Sequence, residues 1–360
     1  MKTRFYVGLI ALAALAFVGC AKDEVKSSVD NAIEFGTYLG RDAQTKGSVF
    51  DTDGMKTQGF GVFAYYTNDA QYSATATPNF MYNEKVTYAG NTWTYAPVKY
   101  WPNEATDYVS FFAYAPYADS YTVPESGDPI IDFAVSADVT EHIDLVAAVN
   151  SHINCQKQAV NDVVKFTFKH ALSRVGFKVE AVMDEVNDQE NGDEDNDNQN
   201  KDIAEGTTIS VQEVEIYSYF NNSGKLNLNG AEWTDRAFSY TSYKLTRDNF
   251  EAVADKVTIT PTPLNNEESY MMLIPTAASN KVKVRVKYTV TTEDDKLTGD
   301  ASVVENNITS DEFDFQFDQG KAYTFVLHLG LTSVKLDAEV ADWEDMGDYV
   351  VNVPNNFEKK

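Results

Sequence analysis

Lys281-Val282-Lys283-Val284-Arg285-Val286-Lys287 alternates charge and valine without a break. Successive side chains of a strand point to opposite faces, so this stretch reads as a strand with a buried valine face and a charged face in water. The habit extends in both directions. Later in the chain the expected strands are Val211 to Tyr219, Tyr270 to Ile274, Lys281 to Val290, Phe313 to Phe317, Tyr323 to Leu329 and Val334 to Val340. Earlier they are Gly59 to Tyr66, Tyr108 to Tyr114 and Ile130 to Val135, aromatic and β-branched runs closed by Asn, Asp, Pro or Gly. No segment of helical period is long enough to compete, and nothing alternates strand with amphipathic helix as a βαβ fold requires. The expected fold is all-β, built as antiparallel β-sandwiches.

Ahead of these strands stands an export signature. Lys2 and Arg4 give a positive start, Phe5 to Val18 an apolar run too short for a resident membrane helix, and Gly19-Cys20 a cleavage box. Residues 1–20 therefore read as a lipoprotein signal peptide. Cys20 would take a diacylglycerol, become the new N-terminus and gain a further palmitate-type acyl chain, because two or more chains make anchoring durable. Cys155 is then the only cysteine left, so the mature chain can form no intramolecular disulfide. What remains is long enough for two domains of roughly 150 residues each. The expected organisation is an N-terminal sandwich at 31–182, an acidic loop or linker at 183–203 and a C-terminal sandwich at 204–353.

The net charge of -26, from 55 acidic and 29 basic residues, argues against nucleic acid as a partner, since phosphate binding needs concentrated Lys and Arg. The segment Asp184 to Asp202 holds almost no apolar residue and reads as a solvated loop. Asp193, Asp195 and Asp197 have the spacing of calcium ligands, but the EF-hand glycine, the flanking helices and the bidentate Glu are missing. No two of His142, His152, His170 and His328 stand at metal-ligand spacing, and there is no phosphate loop, nucleophile elbow or convincing Cys/His pair. No catalytic residue, metal site or cofactor is expected, and His170 reads as a structural histidine on a strand. Tyr100-Trp101-Pro102 reads as a strand end that buries two rings and stops at proline. Trp343 reads as a plug at the bottom of the second sandwich.

Several short pieces carry more than pattern. They are Ile33-Glu34-Phe35-Gly36-Thr37-Tyr38, Gly59 to Tyr65, Tyr100-Trp101-Pro102 with Phe111-Phe112-Ala113-Tyr114-Ala115-Pro116, Phe168-Lys169-His170-Ala171-Leu172-Ser173-Arg174-Val175, Gly320-Lys321-Ala322-Tyr323-Thr324, and Val340-Ala341-Asp342-Trp343. In this order behind a lipobox, from about Ile33 to about Val353, the chain resembles the fimbrillin family of type V pilins. The resemblance implies transthyretin-like, Greek-key sandwiches and a structural or tip subunit of a cell-surface fimbria, anchored in the outer membrane through its lipid. It implies other fimbrial subunits as partners in a head-to-tail polymer, and adhesion to a host or bacterial surface receptor. It also implies assembly by strand exchange: a protease cuts after a basic residue behind an N-terminal strand, and a neighbour's strand fills the groove that opens.

Residues matching that scheme are present. Ile33, Phe35, Thr37 and Leu39 share one face of a strand, so Ala32 to Leu39 is the candidate removable segment. Arg41 follows it and is the only arginine between Arg4 and Arg174. The family often places its cleaved arginine after a threonine, whereas here Thr45 precedes Lys46, so the cut is open between Arg41 and Lys46. At the other end Tyr349, Val351 and Val353 share a face and form either a donor strand or the last strand of their own sheet. A different reading is a standalone surface lipoprotein that binds glycan or host protein through Tyr65-Tyr66, Tyr72, Tyr82, Tyr88, Trp93 and Tyr95. Rings of that kind also fill sandwich cores.

Overall fold

The computed structural model describes residues 31–39, 50–149, 152–160, 163–182, 206–266, 269–293, 301–331 and 334–343, and the backbone of 349–351 and 356–357. In chain order the first strands are β1 (Glu34–Leu39), β2 (Phe60–Asn68), β3 (Met81–Ala89), β4 (Thr92–Thr94), β5 (Tyr108–Ala115), β6 (Ile130–Ala134), β7 (Val146–Ala148), β8 (His152–Cys155) and β9 (Val163–His170). Then come β10 (Ser173–Ala181), β11 (Thr207–Asn227), β12 (Glu232–Thr246), β13 (Thr262–Pro263), β14 (Met271–Leu273) and β15 (Asn280–Thr292). The last are β16 (Ser302–Thr309), β17 (Phe313–Phe315), β18 (Lys321–Leu329), β19 (Val334–Asp342), β20 (Tyr349–Val351) and β21 (Asn356–Phe357). The fold is all-β, as the alternation of Lys281 to Lys287 predicts: Val282, Val284 and Val286 are buried while the basic residues between them face outward.

Three sheets carry these strands. The first half forms one eight-stranded sheet of order β1-β9-β7-β5-β2-β3-β4, with β8 also paired to β5. It curls until its ends approach, the rings of Phe35 in β1 and Tyr95 just beyond β4 lying 5.3 Å apart. The second half packs a seven-stranded sheet, β13-β10-β18-β19-β20, against a six-stranded one, β12-β11-β15-β16. Between them lies a core that includes Phe177, Phe220, Phe313, Phe315 and Phe325.

Four details depart from the sequence reading. Two ladders, β1 on β9 and β10 on β18, are parallel, since residue alternation fixes the face a side chain takes but not the direction of the neighbouring strand. β2 and β5 are buried on both faces: Phe60, Val62 and Phe111 point into the first core, while Phe63, Tyr65, Phe112 and Tyr114 point into a core shared with the second half. Strand partners change between His170 and Ser173, so β10 joins the second half's sheet, and β6 from the first half pairs with β11. The expected linker at 183–203 lies outside the described residues. Of the rings at Tyr100-Trp101-Pro102, only Trp101 is buried; Tyr100 is 49% exposed, because its backbone bridges to Ala32 and turns the ring outward.

One short helix, α1 (Thr52–Gln58), has no hydrophobic repeat long enough to announce it. Its ends are nonetheless written in the chain. The Asp51 carboxylate accepts the Gly54 N–H at 2.7 Å, and Gly59, at φ 74°, closes it with its N–H on the Met55 carbonyl. A Cβ at Gly59 would also lie 2.5 Å from the Val86 carbonyl oxygen, so no other residue fits.

Candidate functional site

β1 is the outermost strand of the first sheet, yet its side chains are part of that sheet's core. Ile33, Phe35 and Leu39 are 2%, 6% and 7% exposed, Thr37 is half-buried, and Glu34 and Tyr38 face solvent. This is the alternation expected of Ala32 to Leu39. The Phe35 ring lies 5.8 Å from Phe166, 6.0 Å from Phe111 and 6.1 Å from Phe60. Its backbone runs parallel to β9, with Glu34 beside Val163 through to Leu39 beside Phe168.

Just ahead of β1 a second set of contacts holds the chain from the other side. The Ile33 N–H donates to the Lys99 carbonyl and the Trp101 N–H to the Asn31 carbonyl, both at 2.9 Å. The Asn31 amide donates to the Trp101 carbonyl at 3.0 Å, and the Lys157 ammonium donates to the Asn31 side-chain oxygen at 2.9 Å. The Tyr95 hydroxyl donates to the Ile33 carbonyl at 2.9 Å, and burial pushes its pKa up to about 12, so it remains a donor. Without β1, the polar edge of β9 and the rings of Phe60, Phe111, Phe166 and Tyr95 would line an open slot.

Other pieces singled out from the sequence meet where the two halves join. Gly320 N–H donates to the Leu172 carbonyl at 2.9 Å, Trp343 N–H to the Gly320 carbonyl at 3.0 Å, and the Trp233 indole to the Ala171 carbonyl at 2.6 Å. Trp343 does not plug the bottom of the second sandwich. It is buried in the shared core, its ring stacked flat on His170 at 3.9 Å. His170 in turn shares a hydrogen bond of 2.9 Å with buried Asp144, whose other oxygen accepts the Phe50 N–H. Arg174 lies over both Tyr270 and Trp343. His170 is thus packed and hydrogen-bonded as a structural residue. Sequence reasoning missed Asp144, and it quoted Arg174 without a role, since both roles come from contacts far apart in the chain.

Of the remaining candidates, Cys20, Arg41, Lys46 and Val353, with Asp193, Asp195 and Asp197, lie outside the described residues. The backbone of Tyr349–Val351 forms an edge strand on β19, antiparallel, with Val340 beside Tyr349 and Ala338 beside Val351. Cys155 is a free, buried thiol whose pKa burial pushes up to about 12. Of the aromatic residues considered as a glycan surface, Tyr65 is fully buried, Tyr66, Tyr72, Tyr88, Trp93 and Tyr95 are half-buried, with Trp93 packed on Phe60 at 4.9 Å, and Tyr82 is half exposed.

Fold and site together define a class: an all-β protein of three linked sheets in which the first strand completes a core from an outer position. A model of the fimbrillin-like family matches residues 48–343, and the chain belongs to that family. The match begins after β1 and ends at Trp343, narrower at both ends than the resemblance drawn from about Ile33 to about Val353. The fimbrium subunit Fim1C of Phocaeicola vulgatus is similar over nearly the whole length, 27% identical across 96% of this chain and 98% of that one. The crystal structure of a fimbrial protein from Bacteroides vulgatus shares the fold, with a TM-score of 0.67 and 22% identity over 87% of this chain and 99% of that one.

Proposed function

We propose that the chain is a structural or tip subunit of a cell-surface fimbria, serving adhesion and assembled by strand exchange. In this reading the precursor is exported, lipidated at Cys20 and held at the outer membrane. It is then cut at Arg41 or Lys46, loses Ala32 to Leu39, and receives a strand from the next subunit. The observation that carries the reading is the burial of Ile33, Phe35 and Leu39 from an outermost strand.

Energetics support it. Burying an apolar side chain stabilises by about 1.5–3 kcal/mol, while ordering a residue's backbone costs about 1–2 kcal/mol. A six-residue strand with two buried anchors, Phe35 and Leu39, preceded by a third at Ile33, is therefore held near balance once its connection is severed. A strand with a better match to the slot can replace it. The span shared with the family, 48–343, is the body without the two terminal segments that the scheme moves. Tyr349–Val351 occupies the edge of β19 and is the candidate donor, leaving its own sheet to enter a neighbour's slot.

Treatment with a trypsin-like protease tests this, with mass and oligomeric state followed together. Cleavage at Arg41 or Lys46 followed by a ladder of oligomers is the expected result. A resistant chain, or a cut chain that stays monomeric and keeps its first strand, would sink the proposal.

A further inference from the structure

The candidate removable segment is held by two unlike grips. Residues 34–39 rest on β9 through one parallel ladder, and their other edge pairs with no strand among the described residues. Asn31 to Ile33 do not enter that ladder. They run antiparallel to the segment between β4 and β5, bridging at Ala32 and Tyr100, and they also meet Lys157 in the turn before β9. Both carbonyls of Asn31 and Ile33, the Ile33 N–H and both ends of the Asn31 side-chain amide are hydrogen-bonded there. The bond from the Lys157 ammonium carries a charge, which makes it stronger than a neutral pair.

Both candidate cuts, Arg41 and Lys46, lie past Leu39. Cutting at either removes the covalent tie at the Leu39 end and leaves the contacts of Asn31 to Ile33 as they were. We propose that Asn31, Tyr95 and Lys157 form a latch that decides when the strand departs: β1 peels from Leu39 back towards Glu34, and the contacts of Asn31 to Ile33 let go last. The proposal rests on the strand-exchange reading and gives it an order and a rate control.

In this order an incoming strand pairs with β9 from Phe168 towards Val163, taking over the ladder before the latch opens. The latch holds a particular side chain, Asn31, which the incoming strand need not carry, so it restrains departure without restraining entry. Asn31, Tyr95 and Lys157 are all half-buried. Water can therefore compete for each bond in turn, and the latch slows release without preventing it.

Two measurements on the full chain after treatment with a trypsin-like protease test the proposal: loss of the N-terminal fragment with time, followed by mass, and amide exchange resolved by residue. Asn31→Ala lies in the departing segment and leaves the body unaltered, while Tyr95→Phe removes only a hydroxyl. Each should speed fragment loss about tenfold, and Tyr38→Ala, on the solvent face, should not. In the cut chain, those amides of residues 37–39 and 166–168 that the uncut chain protects should exchange before the Ile33 and Trp101 amides, which donate within the latch. Equal, measurable rates of loss in the unsubstituted chain and both latch variants, or Ile33 and Trp101 exchanging first, would overturn the latch. A fragment that stays bound in every chain would sink the strand-exchange reading, whereas the order of amide exchange judges the latch either way.

Discussion

Phe35 is the residue on which the removable-strand account turns, because its ring touches three core phenylalanines and Tyr95 from an edge position. Truncating a buried phenylalanine ordinarily costs about 3–5 kcal/mol. Phe35→Ala should therefore lower unfolding stability by that order in the uncut chain, whereas Tyr38→Ala, one strand face away and 55% exposed, should change it little. Equal, small effects at both positions would mean that β1 lies on the surface without supporting the core. Both faces of this strand were legible from alternation alone. What alternation could not reveal was the flat stack of Trp343 on His170, or Asp144 joining His170 to Phe50, since these partners meet only after the whole chain has folded.

His142 gives the residue scale a pH dependence. Its Nε2 faces the Ser136 carbonyl and its Nδ1 accepts the Met272 N–H, both at 2.9 Å, an arrangement that uses the neutral ring. Burial pushes its pKa from 6.5 down to about 4. Between those values the unfolded chain binds the proton and the folded one does not, so stability is fully present above pH 6.5 and declines as pH falls towards 4. The loss should be at most about 3 kcal/mol, at roughly 1.4 kcal/mol per pH unit. Denaturant unfolding at pH 7 and pH 4.5 measures it, and His142→Gln should flatten that slope. An unchanged slope in the variant would assign the pH response to other groups.

Among the elements, β1 and β20 are alike in being outer strands joined to the body by one ladder each. They differ in direction: β1 is parallel to its neighbour and β20 antiparallel. Strand existence was readable throughout, because runs such as Val282-Val284-Val286 and Ile33-Phe35 present a face to the core whatever their neighbours are. Partner and direction were not, since the same alternation serves a parallel or an antiparallel ladder. That is why β10, expected at the end of the first sandwich, lies in the second half's sheet, and why the two-sided burial of β2 and β5 came only with the structure. Gly59 is the counterpart on the legible side: its positive φ and the nearby Val86 carbonyl both demand the glycine seen in the sequence.

At the scale of the whole molecule, the two halves share a core that includes Trp233, Met272, Ile274 and Trp343 alongside Phe63, Tyr65, Phe112 and Tyr114. A body stitched in this way should keep its fold when one outer strand is exchanged, which is what a polymer of linked subunits requires. The central claim is that β1 fills a slot another strand can take, and peptide binding to the protease-cut chain tests it most directly. A labelled peptide of the sequence Ala32 to Leu39 should bind the cut chain saturably and the uncut chain hardly at all, and the same peptide with Phe35→Asp should fail. Binding that is absent from the cut chain, or unaffected by the aspartate, would contradict the account.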